Sequence, residues 1–192
     1  NMKKNILIIG YGDLGKRLTD ILDSNLYNFF NVSRNNKYDS DDFTRWDWLS
    51  EKEFEHNFKK IDVVIFFPKP SRNDESGYKD GFINSAENLY KIISRTAIDK
   101  FISISSTRVY NKGSESICRE IDLIHPTDYR GKLIKQYEEK QIDLFKNKLI
   151  ILRFSGLYDS HSKEISKNHL HRDNAAKIIQ FFIENNFYFK SH

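Results

Sequence analysis

Short apolar runs alternate along the chain with longer segments in which apolar residues recur at helical spacing. A run that is apolar at nearly every position is typical of a strand buried on both faces of a parallel sheet. The apolar runs predict strands over residues 6–9, 28–33, 61–67, 100–106 and 149–154. The periodic segments predict helices over residues 15–24, 78–97, 129–145 and 174–185.

This alternation of strands and helices predicts an α/β fold, a doubly wound parallel sheet with helices on both faces. The length of 192 residues suits one continuous core. We therefore expect residues 2–192 to form a single domain. Near the C-terminus, the aromatic residues Phe187, Tyr188 and Phe189 predict the start of one more strand.

The first predicted strand runs directly into Gly10-Tyr11-Gly12-Asp13-Leu14-Gly15, a G-x-G-x-x-G pattern that opens a helix. In that context Gly10 allows a sharp turn, Gly12 lets a pyrophosphate approach the backbone, and Gly15 lets the helix pack against the strand. The N–H groups at the helix N-terminus, from Asp13 and Leu14 onward, would hold the phosphates. The pattern predicts a dinucleotide site; the alternative is a glycine-bearing turn without a ligand.

The end of the second predicted strand is where such a site reads the adenine ribose. There the chain has Ser33 and Arg34, and the next carboxylate along the sequence is Asp39. A carboxylate would bind the 2′-hydroxyl of NAD, whereas a guanidinium is a planar, bidentate match for the 2′-phosphate of NADP. The sequence therefore favours NADP(H) over NAD(H), the alternative being that Arg34 is simply a surface arginine.

The amino-acid composition indicates in which cellular environment the protein works and argues against some classes of partner. Apolar residues make up 39% and charged residues 30%, and no apolar run approaches the roughly 18 residues of a membrane span. The net charge of +4 arises from basic residues interspersed with acidic ones, as in residues 132–140, which is typical of a solvated surface and argues against nucleic acid. Cys118 is the only cysteine, and the first strand begins almost at once. We expect a cytoplasmic protein without disulfides, signal peptide or membrane anchor.

Several further segments follow the glycine pattern in order: residues 62–66, residues 105–110 with the pattern S-S-x-x-V-Y, residues 152–158 with L-R-x-x-x-x-Y, and residues 168–176. In this order they resemble the extended short-chain dehydrogenase/reductase superfamily, the NAD(P)-dependent epimerase/dehydratases. The spacing G-x-G-x-x-G differs from the usual G-x-x-G-x-x-G of extended members. It is similar to that of atypical members, often described as nucleotide-sugar epimerases, which also carry an R-G pair such as Arg130-Gly131.

The resemblance implies roles for residues beyond the glycine pattern. It places Phe67 at the end of the strand that passes beneath the cofactor, and Asp47 after a third strand, where it holds the adenine amino group. It also implies a small-molecule substrate such as a nucleotide sugar. A homodimer formed through the helices 78–97 and 129–145 would follow the habit of the family.

Working members of this family use a tyrosine and a lysine four residues later on one helix, together with a serine. Residues four apart share a helix face, so the ammonium lowers the pKa of the phenol, which exchanges a proton with substrate while hydride passes to nicotinamide. Ser106 matches the serine, but none of the ten tyrosines has a lysine four residues on. Either the dyad is absent, or Tyr129 with Lys132 replaces it, or Tyr110 or a histidine acts as the acid.

Aligning the R-G pair puts Arg130 where the tyrosine belongs and Ile134 where the lysine belongs. His169 and His171 are two residues apart with no third ligand at metal-binding spacing, so no metal site is expected. We expect His171 to satisfy backbone groups at the start of the last helix and Asp173 to be its N-cap.

Residues 155–192 are far shorter than the substrate lobe of the enzymes that the chain resembles, and we expect them to be a remnant of it. Two functions follow from the residues and the resemblance together. One is an NAD(P)-dependent epimerase, dehydratase or reductase. The other is a non-catalytic module that senses NADP(H) or acts through a partner.

Overall fold

The computed structural model describes residues 2–38, 42–48, 56, 58–106, 117–118, 129–154, 157–158 and 170–186. The strands in these residues are β1 (Lys4–Ile9), β2 (Tyr27–Ser33), β3 (Phe43–Arg45), β4 (Lys60–Phe66), β5 (Ala97–Ser106), β6 (Ile117–Cys118), β7 (Leu149–Phe154), β8 (Leu157–Tyr158) and β9 (Leu170–His171). The helices are α1 (Asp13–Ile21), α2 (Glu75–Tyr78), α3 (Ser85–Ile93), α4 (Tyr129–Phe145) and α5 (Arg172–Glu184). A π-helical turn (Lys79–Asn84) joins α2 to α3, and a 3₁₀ turn (Lys146–Lys148) follows α4.

The main sheet has the strand order β3-β2-β1-β4-β5-β7-β6. All neighbours in it pair in parallel except β6, which lies antiparallel to β7 at the edge. The order runs outward in both directions from β1 and β4, so the sheet changes direction between these two strands. This arrangement confirms the predicted doubly wound α/β fold and places a switch point at the carboxyl ends of β1 and β4.

The core has two halves, one on each face of the sheet. Leu7 and Ile9 of β1 face the half that contains α3 and α4, whereas Ile6 and Ile8 face the half that contains α1 and α5. Side chains alternate between faces along a strand, so a strand covered on both sides must be apolar at consecutive positions. This is why the continuous apolar runs predicted the strands correctly.

Element boundaries mostly follow the prediction. The helix 129–145 and the strand 149–154 end where the pattern placed them. The predicted helix 78–97 is wrong at both ends, because it begins at Glu75, where Asp74 accepts a hydrogen bond from Gly77 N at 2.6 Å, and ends at Ile93. Ala97 instead begins β5 and pairs with Lys60 of β4.

The start of α5 corrects one prediction and bears out another. His171 is the N-cap, and its Nδ1 accepts a hydrogen bond from Asp173 N at 3.0 Å. The imidazole therefore satisfies a backbone group as expected, and the assignment of Asp173 as N-cap is wrong because Asp173 already lies inside the helix. The predicted strand opening at residues 187–189 lies outside the described residues.

Within the described helices, none combines the length and apolar character that a membrane crossing requires.

Candidate functional site

A cleft lies at the switch point of the sheet, beyond the carboxyl ends of β1, β2 and β4. It has two adjoining parts with volumes of about 230 and 500 Å³, of which the larger is within the usual size range of ligand pockets. The first part is lined by Gly10, Tyr11, Gly12, Ser33, Arg34, Asn35, Lys37, Tyr38, Asp47, Trp48, Phe67, Lys69 and Pro70. The second part shares six of these residues and adds Asp13, Leu14, Gly15, Pro68, Ile104 and Arg172.

Gly10 makes the turn between β1 and α1. Its φ of +87° lies in the left-handed region, and a Cβ there would be 2.5 Å from the carbonyl oxygen of Phe67. The N–H groups of Gly10 and Tyr11 both donate to the carbonyl of Val32 at 2.9 Å. Only glycine meets both requirements, the positive φ and the close approach to β4.

Gly12 and Gly15 shape the start of α1. Gly12 is the N-cap and has no side chain to accept from the first N–H groups of the helix, which also lack intrahelical acceptors. A Cβ on Gly15 would be 2.9 Å from the Tyr11 ring and 3.5 Å from Ile8 Cγ2, so glycine lets the helix sit close to β1. The N-terminus of α1 therefore opens on the cleft as the sequence pattern requires.

Ser33 ends β2, and the residues after it form the rim of the first part of the cleft. Arg34 is exposed there. The Nζ of Lys37 lies 5.6 Å from the centre of the Tyr38 ring, and that ring packs edge-on against Tyr11 with centroids 6.2 Å apart. Arg34 and Lys37 are thus two cations on the rim of the cleft after β2. The first carboxylate after β2 in the sequence is that of Asp39.

Asp47 is held at the cleft by the two tryptophans beside it. Trp46 and Trp48 are both buried, and their rings lie 5.9 Å apart. Trp46 N donates to the carbonyl of Ser33 at 3.0 Å, and Asn88 Nδ2 donates to the carbonyl of Trp48 at 2.8 Å. Because this backbone is fixed on both sides, the half-buried Asp47 lines the cleft together with Trp48.

Charged side chains tie the starts of α1 and α5 together. Arg17 pairs with Asp13 at 2.9 Å and with Asp173 at 2.8 Å. These contacts raise the pKa of Arg17, and the Arg17 guanidinium lowers the pKa of Asp173. Arg172, which lines the second part of the cleft, lies 3.7 Å from Asp13. The one acid in the first turn of α1 is therefore balanced by two arginines.

The candidate catalytic residues lie elsewhere. Tyr129 begins α4, and its ring packs edge-on against Tyr78 at 6.1 Å, with the guanidinium of Arg130 4.6 Å from its centre. Lys132 is exposed. Neither Tyr129 nor Lys132 lines the two parts of the cleft. Ser106 is the last residue of β5, and its side chain and the whole of Tyr110 lie outside the described residues.

Another tyrosine on α4 points at β5. Tyr137 is fully buried, with its hydroxyl against Ser103 Oγ and 3.3 Å from the carbonyl of Ile104. Burial raises the pKa of this phenol. A deeply buried phenol that favours its neutral form packs the core and is poorly suited to exchange protons with a substrate.

The cleft residues to which sequence reasoning assigned no role include Lys37, Tyr38, Lys69 and Arg172. Lys37 and Tyr38 follow Arg34 closely, so their proximity to it was a usable signal. Lys69 carries no signal of its own, because only the path of the chain after β4 brings it near Gly12.

The comparisons with known proteins agree with this geometry. The family model described as NAD dependent epimerase/dehydratase family matches residues 6–163. A search of curated proteins found no significant match to the chain.

Solved structures with the same fold include three sugar-nucleotide enzymes. The UDP-glucuronic acid 4-epimerase of Bacillus cereus, with UDP-glucuronic acid and NAD, is 22% identical, with a TM-score of 0.61 over 80% of this chain and 57% of its own. The UDP-N-acetylglucosamine 4-epimerase of Methanobrevibacter ruminantium, with UDP-N-acetylmuramic acid, is 14% identical, with a TM-score of 0.71 over 98% and 75%. The dTDP-4-dehydrorhamnose reductase of Bacillus anthracis, with NADP, is 17% identical, with a TM-score of 0.69 over 97% and 73%. The present chain thus spans little more than half the length of the first of these.

Proposed function

The chain belongs to the NAD dependent epimerase/dehydratase family, and on that premise we propose that its cleft binds a nicotinamide dinucleotide. The observation that carries the proposal is the glycine-capped N-terminus of α1, which opens on the cleft where the sheet changes direction. The first N–H groups of α1, from Asp13 onward, suit an anionic pyrophosphate. Gly12 leaves room for that group, because a Cβ there would approach nothing closer than Lys69 Nζ at 3.3 Å.

Different residues around the cleft would contact different parts of the dinucleotide. Gly10, Gly12 and Gly15 shape the pyrophosphate position, with the N–H groups of Asp13 and Leu14 as donors. Phe67 directly follows β4 and lines both parts of the cleft. The nicotinamide, when bound, would supply hydride-transfer chemistry that the side chains of the protein lack.

The proposed preference is for NADP(H). Ser33 and Arg34 at the end of β2 provide a hydroxyl and a guanidinium where a 2′-phosphate would lie, and Lys37 adds a second cation on the same rim. A guanidinium binds phosphate through two parallel hydrogen bonds. Asp47 is assigned to the adenine amino group, which both NADP(H) and NAD(H) carry.

Fluorescence titration with NADPH and NADH tests the site. The wild-type protein is expected to bind NADPH more tightly than NADH. Gly12→Val places a branched side chain where the pyrophosphate would lie and is expected to abolish binding of both cofactors. The unfolding midpoint of the variant, measured beside that of wild type, separates a blocked site from a lost fold. A wild-type protein that binds neither cofactor would refute the proposal.

The proposed reaction is epimerisation, dehydration or reduction of a nucleotide sugar or a similar small molecule. It rests on the family and on the sugar nucleotides held by similar solved structures. Ser106 would orient the substrate oxygen, and Tyr129 with Lys132 would replace the usual dyad. At three residues apart these two side chains lie near each other on the helix surface, although Lys132 is exposed and Tyr129 contacts Tyr78.

The arrangement of Tyr129 favours a second candidate, a non-catalytic NADP(H) sensor or partner-binding module. Its ring packs edge-on against Tyr78, has the guanidinium of Arg130 over its face, and lines neither part of the cleft. Incubating the NADP(H)-loaded protein with a panel of UDP- and dTDP-sugars, with products resolved by NMR, separates the two candidates. Turnover that Tyr129→Phe and Lys132→Met both abolish supports the enzyme. Tight NADPH binding without turnover of any sugar nucleotide supports the sensor.

We also propose a single dinucleotide-binding domain in which residues 155–192 include a reduced substrate lobe. In the described part of that segment, α5 packs against α1 and the sheet through Ala175, Ala176 and Ile179. A homodimer through α3 and α4 is proposed from the habit of the family. Light scattering that reports only a monomer would refute it. Location in the cytoplasm stays a prediction from the sequence.

A further inference from the structure

Lys69 lies in the loop after β4 and lines both parts of the cleft. Its Nζ is 3.3 Å from the position that a Cβ on Gly12 would take. Gly12 is the N-cap of α1, so the ammonium group lies beside the positive end of the helix dipole. Lys69 is exposed, so its ammonium group can reach a ligand in the cleft, and two positive groups face each other there.

The described residues provide no negative partner for Lys69. It forms no ion pair with any of them, and the nearby acid of the first helical turn, Asp13, is held by Arg17 at 2.9 Å and faces Arg172 at 3.7 Å. The glycine turn therefore combines a helix N-terminus with an ammonium group, and no described carboxylate forms an ion pair with that ammonium group. Such a place favours an anion, because both groups are then stabilised together.

The backbone of Lys69 is held firmly in position. Pro68 and Pro70 restrict the chain on either side of it. Its carbonyl packs on the π-helical turn, where a Cβ on Gly81 would lie only 1.9 Å from the Lys69 oxygen. Two residues further on, Ser71 N donates to the carbonyl of Gly77 at 3.0 Å. The backbone of Lys69 is therefore fixed before a ligand binds, so less conformational entropy is lost on binding.

We propose that Lys69 binds the pyrophosphate of the dinucleotide together with the N-terminus of α1. The inference rests on the proposed dinucleotide site and adds a ligand-binding residue from outside the glycine pattern. It predicts which ligands depend on the lysine. Ligands with a pyrophosphate, such as NADPH and ADP-ribose, engage Lys69, whereas adenosine 2′-phosphate engages only the rim at Arg34.

Isothermal titration of three single-site variants tests this assignment. Lys69→Met removes the charge with little change in length, and Lys69→Arg keeps the charge. Lys59→Met is the matched control, because Lys59 is exposed just before β4, at the opposite end of that strand. The ligands are NADPH, ADP-ribose and adenosine 2′-phosphate, each titrated into wild type and into every variant.

We expect Lys69→Met to weaken NADPH and ADP-ribose about tenfold to a hundredfold, the usual loss for a hydrogen bond to a charged group. Adenosine 2′-phosphate should stay within about twofold of wild type. Lys69→Arg should recover most of the affinity, and Lys59→Met should behave as wild type.

Unchanged NADPH affinity in Lys69→Met would overturn the assignment while leaving the proposed dinucleotide site intact. An equal loss of adenosine 2′-phosphate would also overturn it, because Lys69 would then act as a general cation at the cleft. Failure of the wild-type protein to bind NADPH and ADP-ribose would instead refute the dinucleotide site and this inference with it.

Discussion

Arg153 on β7 and Glu138 on α4 form a buried, two-pronged ion pair. Arg153 Nε lies 2.6 Å from Glu138 Oε1 and Nη2 lies 2.8 Å from Oε2, and the two side chains are 2% and 1% exposed. The guanidinium and carboxylate planes meet through parallel hydrogen bonds, the strongest arrangement open to this pair. The contact fixes α4 on the sheet, and α4 is the helix that carries the candidate catalytic residues Tyr129 and Lys132.

Breaking this ion pair on one side should destabilise the protein strongly. Glu138→Leu or Arg153→Met alone leaves one charge buried without its main partner, and we expect a loss of about 3–5 kcal/mol in the free energy of unfolding. The double variant Glu138→Leu/Arg153→Met should recover most of that loss, since apolar replacements of buried pairs are often nearly neutral. Urea denaturation of all four proteins measures the coupling. Additive losses in the double variant would contradict the expectation.

Arg34→Ala should separate the two cofactors. We expect NADPH affinity to fall about tenfold to a hundredfold, with NADH within about twofold of wild type, because only NADPH carries the 2′-phosphate. Arg95→Ala removes the same charge from an exposed residue just before β5, at the other end of the sheet, and serves as the control. Equal losses for both cofactors would show that Arg34 does not read the 2′-phosphate.

Asp47→Ala should affect both cofactors alike. The proposed hydrogen bond from the adenine amino group is common to NADPH and NADH, so we expect each to weaken about tenfold. Asp47→Asn keeps an acceptor oxygen and should lose less. Calorimetric titration of both cofactors checks this, with exposed Asp143→Ala on α4 as the matched change in charge. If the variant lost affinity for only one of the two cofactors, the assignment of Asp47 to the adenine amino group would be refuted.

Gly81→Ala should destabilise the fold through the loop that carries Lys69. The added methyl group would meet the Lys69 carbonyl at 1.9 Å and Pro70 Cα at 2.7 Å, and backbone atoms cannot step aside as a flexible side chain can. We expect a loss of about 1–3 kcal/mol, the usual cost of overpacking. Ser76→Ala, exposed on the preceding helix, should cost under about 0.5 kcal/mol. Equal urea midpoints for wild type and Gly81→Ala would refute this close contact.

The main strands of the sheet and the glycine turn were predictable from the sequence because each depends on local rules. A doubly covered strand such as β1 must be apolar at consecutive positions, and Gly10 needs a positive φ that other residues rarely adopt. The edge strands β3 and β6 were not predicted, since two or three residues leave no periodicity to detect. The predicted helix over 78–97 was wrong at its ends because pairing between Lys60 and Ala97 extends β5.

The sequence by itself therefore determined the fold class, the glycine turn and the order of the main elements. Hydrophobic periodicity and the backbone geometry of glycine each depend only on residues that are close together in the chain. Only the tertiary structure brought Lys69 beside Gly12 and Glu138 onto Arg153. These pairs are 57 and 15 residues apart in the chain, and their contact depends on which strands are neighbours. The first contact sets the charge at the glycine turn and the second fixes α4 on the sheet, and no local pattern encodes either.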